Sequence, residues 1–293
     1  MSGGAATGGR AEAAGVARGP LPLVLLPGHM CDARMWGPQV AALSSSRTIH
    51  LPRDARANSM EEMASIVLAE APPRFALAGL SMGGILAMEV LRQAPHRVER
   101  LALLDTNPLP EAPEVARDRM ARMGRVAAGD LDAVVTCEMK PLYLAAVTRM
   151  GPRRADILDL CLDMARSLGP DAFLHQSRAL IDRPDGQATL AAYRGPALVL
   201  MGAEDRLCPR DRHELMVSLM PQATFAVIEG AGHLPPLEQP GATNAALRRW
   251  LEDDDAPPQA GPRDAGAPAR RGHADGVQRG RGGGGPARLR PLH

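Results

Sequence analysis

The chain has 293 residues, which is enough for one large hydrophobic core, and its formal net charge is only +1 at pH 7. Such a balance gives no global field that would attract nucleic acid or a membrane surface, and no apolar run approaches the roughly 20 residues of a membrane span, so we predict neither partner. The cysteines lack metal-ligand spacing and are predicted to be small buried hydrophobic residues in a reducing, cytoplasmic compartment: Cys31, Cys137, Cys161 and Cys208.

Changes of composition along the chain predict five segments. Both ends are rich in small, Pro and Arg residues without apolar periodicity, so residues 1–20 and 253–293 are predicted to be disordered. Strand-like and helix-like patterns fill residues 21–109 and 189–252, which is typical of an α/β core in two parts. Residues 110–188 contain only helix-period patterns and are predicted to form a helical lid inserted between two strands.

The core begins with a strand, a loop and a second strand. Leu21–Leu26 is a continuous apolar run of the kind found in parallel strands that are buried on both faces. The loop after it contains His29, whose side chain could contact a substrate or could be a structural loop histidine. Arg47–Pro52 is predicted as a short strand, and a helix over Met60–Glu70 follows, capped by Ser59.

Residues 75–84 are the most informative stretch of the chain. An apolar run stops at a serine framed by glycines, and an amphipathic stretch follows with no room for a loop. A side chain at so sharp a turn needs a strained backbone, and it tolerates only small neighbours such as Gly79 and Gly83. The turn would present the hydroxyl of Ser81 at a helix N-terminus, where N–H groups favour negative charge. Ser81 is therefore predicted to be a nucleophile, with an ordinary glycine-rich turn as the alternative.

The lid follows the strand Val98–Leu104. Its helix-period patterns cover four stretches: Glu114–Ala128, Leu131–Val147, Arg154–Leu168 and Asp171–Ile181. Five lid methionines are predicted mainly as internal packing, with a minority facing the cleft: Met120, Met123, Met139, Met150 and Met164.

Two polar loops follow strands beyond the lid. Asp205 comes after the predicted strand Ala197–Met201, and His233 comes after the predicted strand Thr224–Glu229. The remaining predicted helices are Asp211–Met220 and Gly241–Leu251.

Three local strings resemble those of the α/β-hydrolase family. Gly79-Leu80-Ser81-Met82-Gly83 is similar to its nucleophile elbow G-x-S-x-G, Asp205 stands in Gly-x-x-Asp, and His233 stands in Gly-x-Gly-His, in the family's chain order. The resemblance covers about residues 21 to 251. It implies a catalytic triad in which Ser81 is the nucleophile, His233 is the general base and then acid, and Asp205 orients the imidazole.

The resemblance also implies an oxyanion hole made by the backbone N–H groups of His29 and Met82. Pro27 stands where many family members have a histidine, a departure that leaves the backbone donors in place.

Two other acids compete with Asp205 for the place beside His233. Glu204 is adjacent in sequence, and its side chain is predicted to point elsewhere on the turn. Asp105 follows a strand, at a position that some lipases use for the acid, and its alternative role is hydrogen bonding to loop backbone beneath the lid.

One departure from the family bears on the sheet. The family's sheet usually opens with an antiparallel hairpin, which residues 1–20 cannot supply. We therefore predict a mostly parallel sheet of about six strands flanked by helices. Arg47–Pro52 would lie near its exposed edge. Either the N-terminal segment or a second copy of the chain could cover that edge, so a monomer or a homodimer is predicted.

The resemblance implies a serine hydrolase that cleaves a small or medium apolar carboxylic ester or enol lactone through an acyl-enzyme, without a cofactor or a metal. A serine at the elbow distinguishes the chain from the dehalogenases and epoxide hydrolases of this fold, which carry an aspartate there. Carbon-carbon bond hydrolases and acyltransferases use the same triad and stay open as alternatives. From another class, a non-catalytic receptor could use the lidded cavity to bind a ligand.

Overall fold

The computed structural model describes residues 20–52, 57–139 and 142–252. Six strands form one sheet in the order β2-β1-β3-β4-β5-β6, and every neighbouring pair is parallel. The strands are β1 (Leu23–Leu26), β2 (Ile49–His50), β3 (Phe75–Leu80), β4 (Val98–Leu104), β5 (Ala197–Gly202) and β6 (Thr224–Ile228). The predicted α/β class and parallel six-stranded sheet are confirmed.

Helices connect the strands and cover both faces of the sheet. In chain order they are α1 (Gly37–Leu43), α2 (Met60–Glu70), α3 (Met82–Gln93), α4 (Pro113–Ala127), α5 (Leu131–Ala133), α6 (Ala146–Met150), α7 (Arg154–Ile181), α8 (Gln187–Ala192), α9 (Arg210–Leu219), α10 (Pro235–Glu238) and α11 (Pro240–Glu252). A 3-10 turn at Ala33–Trp36 precedes α1, and a π-helical segment at Val134–Met139 continues α5.

The core has two layers because the strand side chains alternate between the two faces of the sheet. One layer packs against α2 and α3 and includes Val24, Leu26, Leu77, Leu101, Leu103 and Val199. The other packs against α1 and α11 and includes Leu23, Leu25, Ala78, Leu198, Leu200 and Trp250. All residues of β1, β3 and β5 are buried, as the uninterrupted apolar runs predict for strands that are covered on both faces.

The parallel pairing brings the functional loops to one edge of the sheet. Leu26 at the end of β1 pairs with Gly79 near the end of β3, and Leu104 at the end of β4 pairs with Leu80 and Leu200. The loops that follow these strands therefore leave the sheet side by side, although they are far apart in sequence.

The edge strand is shorter than predicted. Of the predicted strand Arg47–Pro52, only Ile49–His50 pairs with β1. Pro52 has no N–H to donate, and the guanidinium of Arg47 bonds to the carbonyl of Leu21 instead, 3.2 Å away. Residues 1–19 and 253–293 lie outside the described residues. The prediction that no hairpin precedes β1 concerns the first of these segments and stays a prediction.

The lid differs from its prediction in two places. The predicted helix Leu131–Val147 is not continuous: Tyr143–Ala145 are not helical, and α6 begins at Ala146. The two predicted helices from Arg154 to Ile181 form one run, α7, with a break at Gly169, whose φ is 82°, just before Pro170. The lid boundaries at 109 and 188 stay predictions.

None of the helices in the described part of the chain is both long and apolar enough to span a bilayer. The prediction that all four cysteines are buried is wrong for two of them. Cys31 and Cys161 are buried, whereas Cys137 is exposed and Cys208 is half-buried.

Candidate active site

The turn between β3 and α3 holds Ser81 in a strained conformation. Its φ is 54° and its ψ is −118°, a region that side-chain-bearing residues rarely occupy. A Cβ at Gly79 would collide with the carbonyl oxygen of Gly83, and a Cβ at Gly83 would collide with that of Leu26. The two glycines are therefore required by close backbone contacts, and the strained backbone predicted for this turn is present.

The hydroxyl of Ser81 lies at one end of a hydrogen-bonded chain. Its Oγ is 2.9 Å from Nε2 of His233, and Nδ1 of the same ring is 2.9 Å from Oδ2 of Asp205. The side chains of His233 and Asp205 are only 5% and 0% exposed. A neutral imidazole placed between a hydroxyl and a carboxylate can take the hydroxyl proton while the carboxylate stabilises the resulting cation.

Hydrogen bonds keep Asp205 ionised despite its burial. Burial alone would raise the pKa of this carboxyl, but attraction to His233 and its ring N–H outweigh that effect. The backbone N–H groups of Leu207 and Cys208 also donate to Oδ1 of Asp205, at 2.8 and 3.2 Å. The net result is a pKa below the usual value for aspartate, so Asp205 is a carboxylate at neutral pH.

The two competing acids occupy other positions. Oε2 of Glu204 accepts the backbone N–H of Ala146 in the lid, at 2.8 Å. Asp105 is fully buried, and its Oδ1 accepts the N–H of Gly202 at 2.8 Å. Burial and the adjacent Asp205 carboxylate raise the pKa of Asp105 well above its usual value, which favours the protonated form of this second carboxyl. Among the described residues, Asp205 is the acid that contacts His233.

Glu238 supports the histidine loop and was not singled out from the sequence. Its buried carboxylate accepts the N–H groups of Gly232 and Leu234, at 2.8 and 3.2 Å, on either side of His233. It also accepts the N–H of Ala145 in the lid at 2.8 Å. A glutamate five residues after the histidine, in an otherwise apolar Leu-Pro-Pro-Leu run, is the sequence signal that could have indicated it.

The loop after β1 places His29 beside the serine turn. A Cβ added to Gly28 would lie 3.5 Å from Cβ of Ser81, which shows how closely the two loops approach. No backbone carbonyl of the described residues accepts a hydrogen bond from the N–H of His29 or Met82. The two predicted oxyanion donors therefore have no competing backbone acceptor among these residues; His29 lies on the loop after β1, and Met82 is the first residue of α3.

The ring of His29 packs against the lid. It makes an edge contact with Phe173, with ring centroids 5.1 Å apart, and its Nε2 is 3.4 Å from Oγ of Ser177. Burial, with a smaller contribution from the guanidinium of Arg119, lowers the pKa of His29 to about 3. The imidazole is consequently neutral at physiological pH, and it also lines the cavity above Ser81.

We expect His29 to make the protein less stable in acid. Its pKa is about 3 in the folded state against an ordinary value of 6.5, so the unfolded chain binds a proton between these values that the folded chain does not. The contribution of the neutral His29 to the free energy of unfolding is fully present above pH 6.5 and is lost as the pH falls towards 3. Urea unfolding at about pH 7.5 and about pH 4.5 measures how much the free energy of unfolding decreases on acidification. This decrease should be smaller in His29→Gln than in the wild type, by on the order of 1–2 kcal/mol.

The exposed His96 provides the matched control. His96→Gln should keep the wild-type loss of stability on acidification. An equal loss in His29→Gln and in the wild type would contradict the prediction.

A cavity of about 500 Å³ opens above Ser81 and His233. Its apolar wall is made by both core and lid residues: Leu80, Met82, Ile85, Met139, Leu142 and Leu234. Of the five lid methionines, only Met139 lines this cavity. One of five agrees with the expectation that a minority of these methionines face the cleft.

Cys208 adds a thiol to the surroundings of the triad. Potential ligand atoms of Asp205, Cys208 and His233 all lie within 4.8 Å of one another. Burial, together with the charge of Asp205, raises the pKa of the Cys208 thiol well above its usual value, which disfavours the thiolate that a metal would need. His233 and Asp205 are also hydrogen-bonded to each other, which occupies ligand atoms that a metal would need. That no metal or cofactor is required stays a prediction.

Comparison with known proteins identifies relatives over most of the described chain. A family model described as "Alpha/beta hydrolase family" matches residues 23–246. The pimeloyl-(acyl-carrier protein) methyl ester esterases of Edwardsiella ictaluri (strain 93-146) and Pectobacterium carotovorum subsp. carotovorum (strain PC1) are 30% and 28% identical, over 80% and 76% of this chain and 94% and 91% of their own.

Solved structures show the same fold. A thermophilic esterase from Thermogutta terrifontis, solved with malate bound, is 30% identical with a TM-score of 0.72, over 80% of this chain and 90% of that one. The enol-lactonase from Burkholderia xenovorans LB400 shares the fold with a TM-score of 0.70 at 22% identity, over 80% of this chain and 92% of that one. By class the protein is a carboxylic-ester hydrolase, and the chain belongs to the alpha/beta hydrolase family.

Proposed function

We propose that this protein hydrolyses a small or medium carboxylic ester through an acyl-enzyme on Ser81. The observation that carries the proposal is the unbroken hydrogen-bonded chain from Oγ of Ser81 through His233 to Asp205, with 2.9 Å at each step. A strained serine turn at a helix N-terminus and a cavity directly above it supply the remaining requirements of acyl transfer.

The first half of the reaction forms the acyl-enzyme. Oγ of Ser81 attacks the ester carbonyl carbon while Nε2 of His233 takes the hydroxyl proton. The N–H groups of His29 and Met82 hold the oxyanion, and removal of one such donor typically costs on the order of 3 kcal/mol of transition-state stabilisation. The intermediate collapses, His233 gives its proton to the leaving alkoxide, and the alcohol departs.

The second half regenerates the enzyme. A water molecule attacks the acyl carbon, and His233 takes one of its protons. The second tetrahedral intermediate expels Oγ of Ser81, which regains the proton from His233, and the carboxylic acid leaves. Asp205 stays ionised throughout and stabilises the imidazolium that forms twice in the cycle.

The cavity indicates the size of the substrate. About 500 Å³ lined by aliphatic and thioether side chains suits an acyl chain of small or medium length. We expect turnover of p-nitrophenyl esters to depend on acyl length. An acyl chain that reaches the apolar wall should give a kcat/KM about tenfold or more above that of a chain too short to reach it. The measurement is initial rates over a graded series, with Ser81→Ala as the blank.

A failure to turn over any ester of the series would contradict an ester substrate. It would favour the alternatives on the same triad, namely an enol lactone, carbon-carbon bond hydrolysis or acyl transfer to an acceptor other than water.

A second candidate substrate follows from the relatives. Two proteins 28–30% identical over three quarters or more of this chain are named for the methyl ester of a pimeloyl group on an acyl-carrier protein. Their identity favours a methyl ester of a carrier-bound acyl chain here too. Comparing kcat/KM for a carrier-bound methyl ester with that for the same ester on a small thiol would show whether the carrier contributes.

A further inference from the structure

Three charged side chains form a buried group at the junction of the lid and the core. Oε1 of Glu111 accepts Nε of Arg119 at 2.8 Å, and Oε2 accepts Nη1 of Arg183. Nε of Arg183 donates to the carbonyl of Leu109 at 2.9 Å. The side chains of Glu111, Arg183 and Arg119 are only 2%, 7% and 16% exposed. We call these three residues the arginine pair cluster.

The arginine pair cluster has two cations and one anion. It therefore keeps one net positive charge in a place largely removed from water, which is costly unless a further anion compensates it. Burial lowers the pKa of Arg183, and the like charge of Arg119 adds to that effect in spite of the attraction of Glu111. The single carboxylate does not fully offset the two guanidinium groups.

The cluster faces the catalytic cavity. Glu111, Arg119 and Arg183 all line the cavity that contains Ser81 and His233. Arg119 also acts electrostatically on the catalytic end, because after burial it is the next contributor to the lowered pKa of His29. An anionic group in the cavity would therefore be attracted towards this wall.

Other charges on the cavity wall have a weaker effect. Arg122 is paired with Glu138 at 3.0 Å. Glu114, Asp118 and Arg206 are solvent-exposed, where water and salt screen their charges. Arg212, which also lines the cavity, has a partly exposed side chain and pairs with Asp211 at 3.4 Å. The buried cluster consequently dominates the field inside the cavity.

We infer that the cavity takes an ester with a carboxylate at its far end, that is, a half-ester of a dicarboxylic acid. Its ester group lies at Ser81, its methylene chain lies along the apolar wall, and its carboxylate pairs with Arg119 and Arg183. The inference rests on the proposed function of Ser81. Hydrolysis then consumes one water and releases an alcohol, a dicarboxylate and a proton.

The test compares substrates that differ only in the terminal charge. Monomethyl esters of linear dicarboxylic acids are paired with methyl esters of monocarboxylic acids of equal chain length, and methanol release is measured. For the best length we expect kcat/KM to be about tenfold higher for the anionic ester, since one charge-assisted contact of this kind contributes about that factor.

Two variants should move this ratio in opposite directions. Arg119→Gln removes one guanidinium from the cluster, so the anionic preference should fall towards one. Glu111→Gln removes the compensating carboxylate and should raise it. Arg117→Gln is the matched control, because Arg117 lies on the same helix, is solvent-exposed and does not line the cavity. Melting temperatures of all variants verify that they fold.

Failure of the inference and failure of the proposed function give different results. An unchanged ratio in Arg119→Gln, or no anionic preference in a wild type that cleaves neutral esters, would overturn the carboxylate site and leave the proposed function standing. If no ester is cleaved and Ser81 does not react with a fluorophosphonate, the proposed function fails and the substrate inference fails with it. Calorimetric titration of adipate into the wild type and Arg119→Gln then decides whether an anion site exists at all, since the inference requires tighter binding to the wild type.

Discussion

Replacing Ser81 with alanine is expected to reduce kcat for the best ester by roughly 10⁶-fold, the scale of loss when the nucleophile of a triad is removed. The reason is that Ser81 Oγ is the hydroxyl 2.9 Å from His233, so the variant has no atom that can form the acyl bond. The same change should abolish labelling by a fluorophosphonate probe. Kinetics and mass spectrometry of the labelled protein provide the two measurements.

Ser65 is the matched control for this variant. It is a helix serine whose hydroxyl bonds to the carbonyl of Glu61 and lies outside the cavity. Ser65→Ala should keep wild-type activity and labelling. A wild-type protein that folds but is not labelled at Ser81 would remove the basis for the enzyme mechanism, and a non-catalytic receptor that uses the cavity would then be the better explanation.

Replacing Asp205 with asparagine is expected to lower kcat by about 10⁴-fold with little change in KM. An amide that presents its NH₂ to Nδ1 would favour the tautomer that cannot accept the Ser81 proton, and a neutral side chain no longer stabilises the imidazolium. Steady-state kinetics on the best ester measure the effect.

Asp105→Asn tests whether Asp105, the second buried acid, has any part in catalysis. Oδ1 of Asp105 accepts the N–H of Gly202, burial raises the pKa of this carboxyl, and asparagine keeps both its shape and an acceptor oxygen. We expect this variant to lose less than about tenfold in kcat, the scale of one neutral hydrogen bond. If Asp105→Asn lost as much activity as Asp205→Asn, the acid of the triad would have been misassigned.

The local parts of the fold could be predicted from the sequence. The strand, sharp turn and helix around Ser81 depend on residues within twenty positions of one another, and Gly79 and Gly83 indicated the tight contacts that the structure contains. The apolar runs of β1, β3 and β5 likewise predicted a parallel sheet that is covered on both faces.

Prediction was poorer where a short segment depends on its surroundings. The edge strand pairs over only two residues, Ile49 and His50; it has a single neighbour, and Pro52, which has no N–H to donate, follows two residues later. The lid helix predicted over Leu131–Val147 breaks, and the chain beyond the break instead bonds to the histidine loop. There the carbonyl of Tyr143 accepts the N–H of His233 at 2.7 Å.

The sequence by itself determined the family, the sheet and the three strand-end positions at which Ser81, Asp205 and His233 lie. These depend on local patterns and on the geometric rule that parallel strands end at one edge. Tertiary structure alone decided which acid contacts His233, what Glu238 supports, and how Glu111 joins Arg119 and Arg183. Glu111 and Arg183 are 72 residues apart, and Glu238 bonds to Ala145 across 93 residues. Periodicity carries no information on such pairs, because they form only when distant segments of the chain pack together.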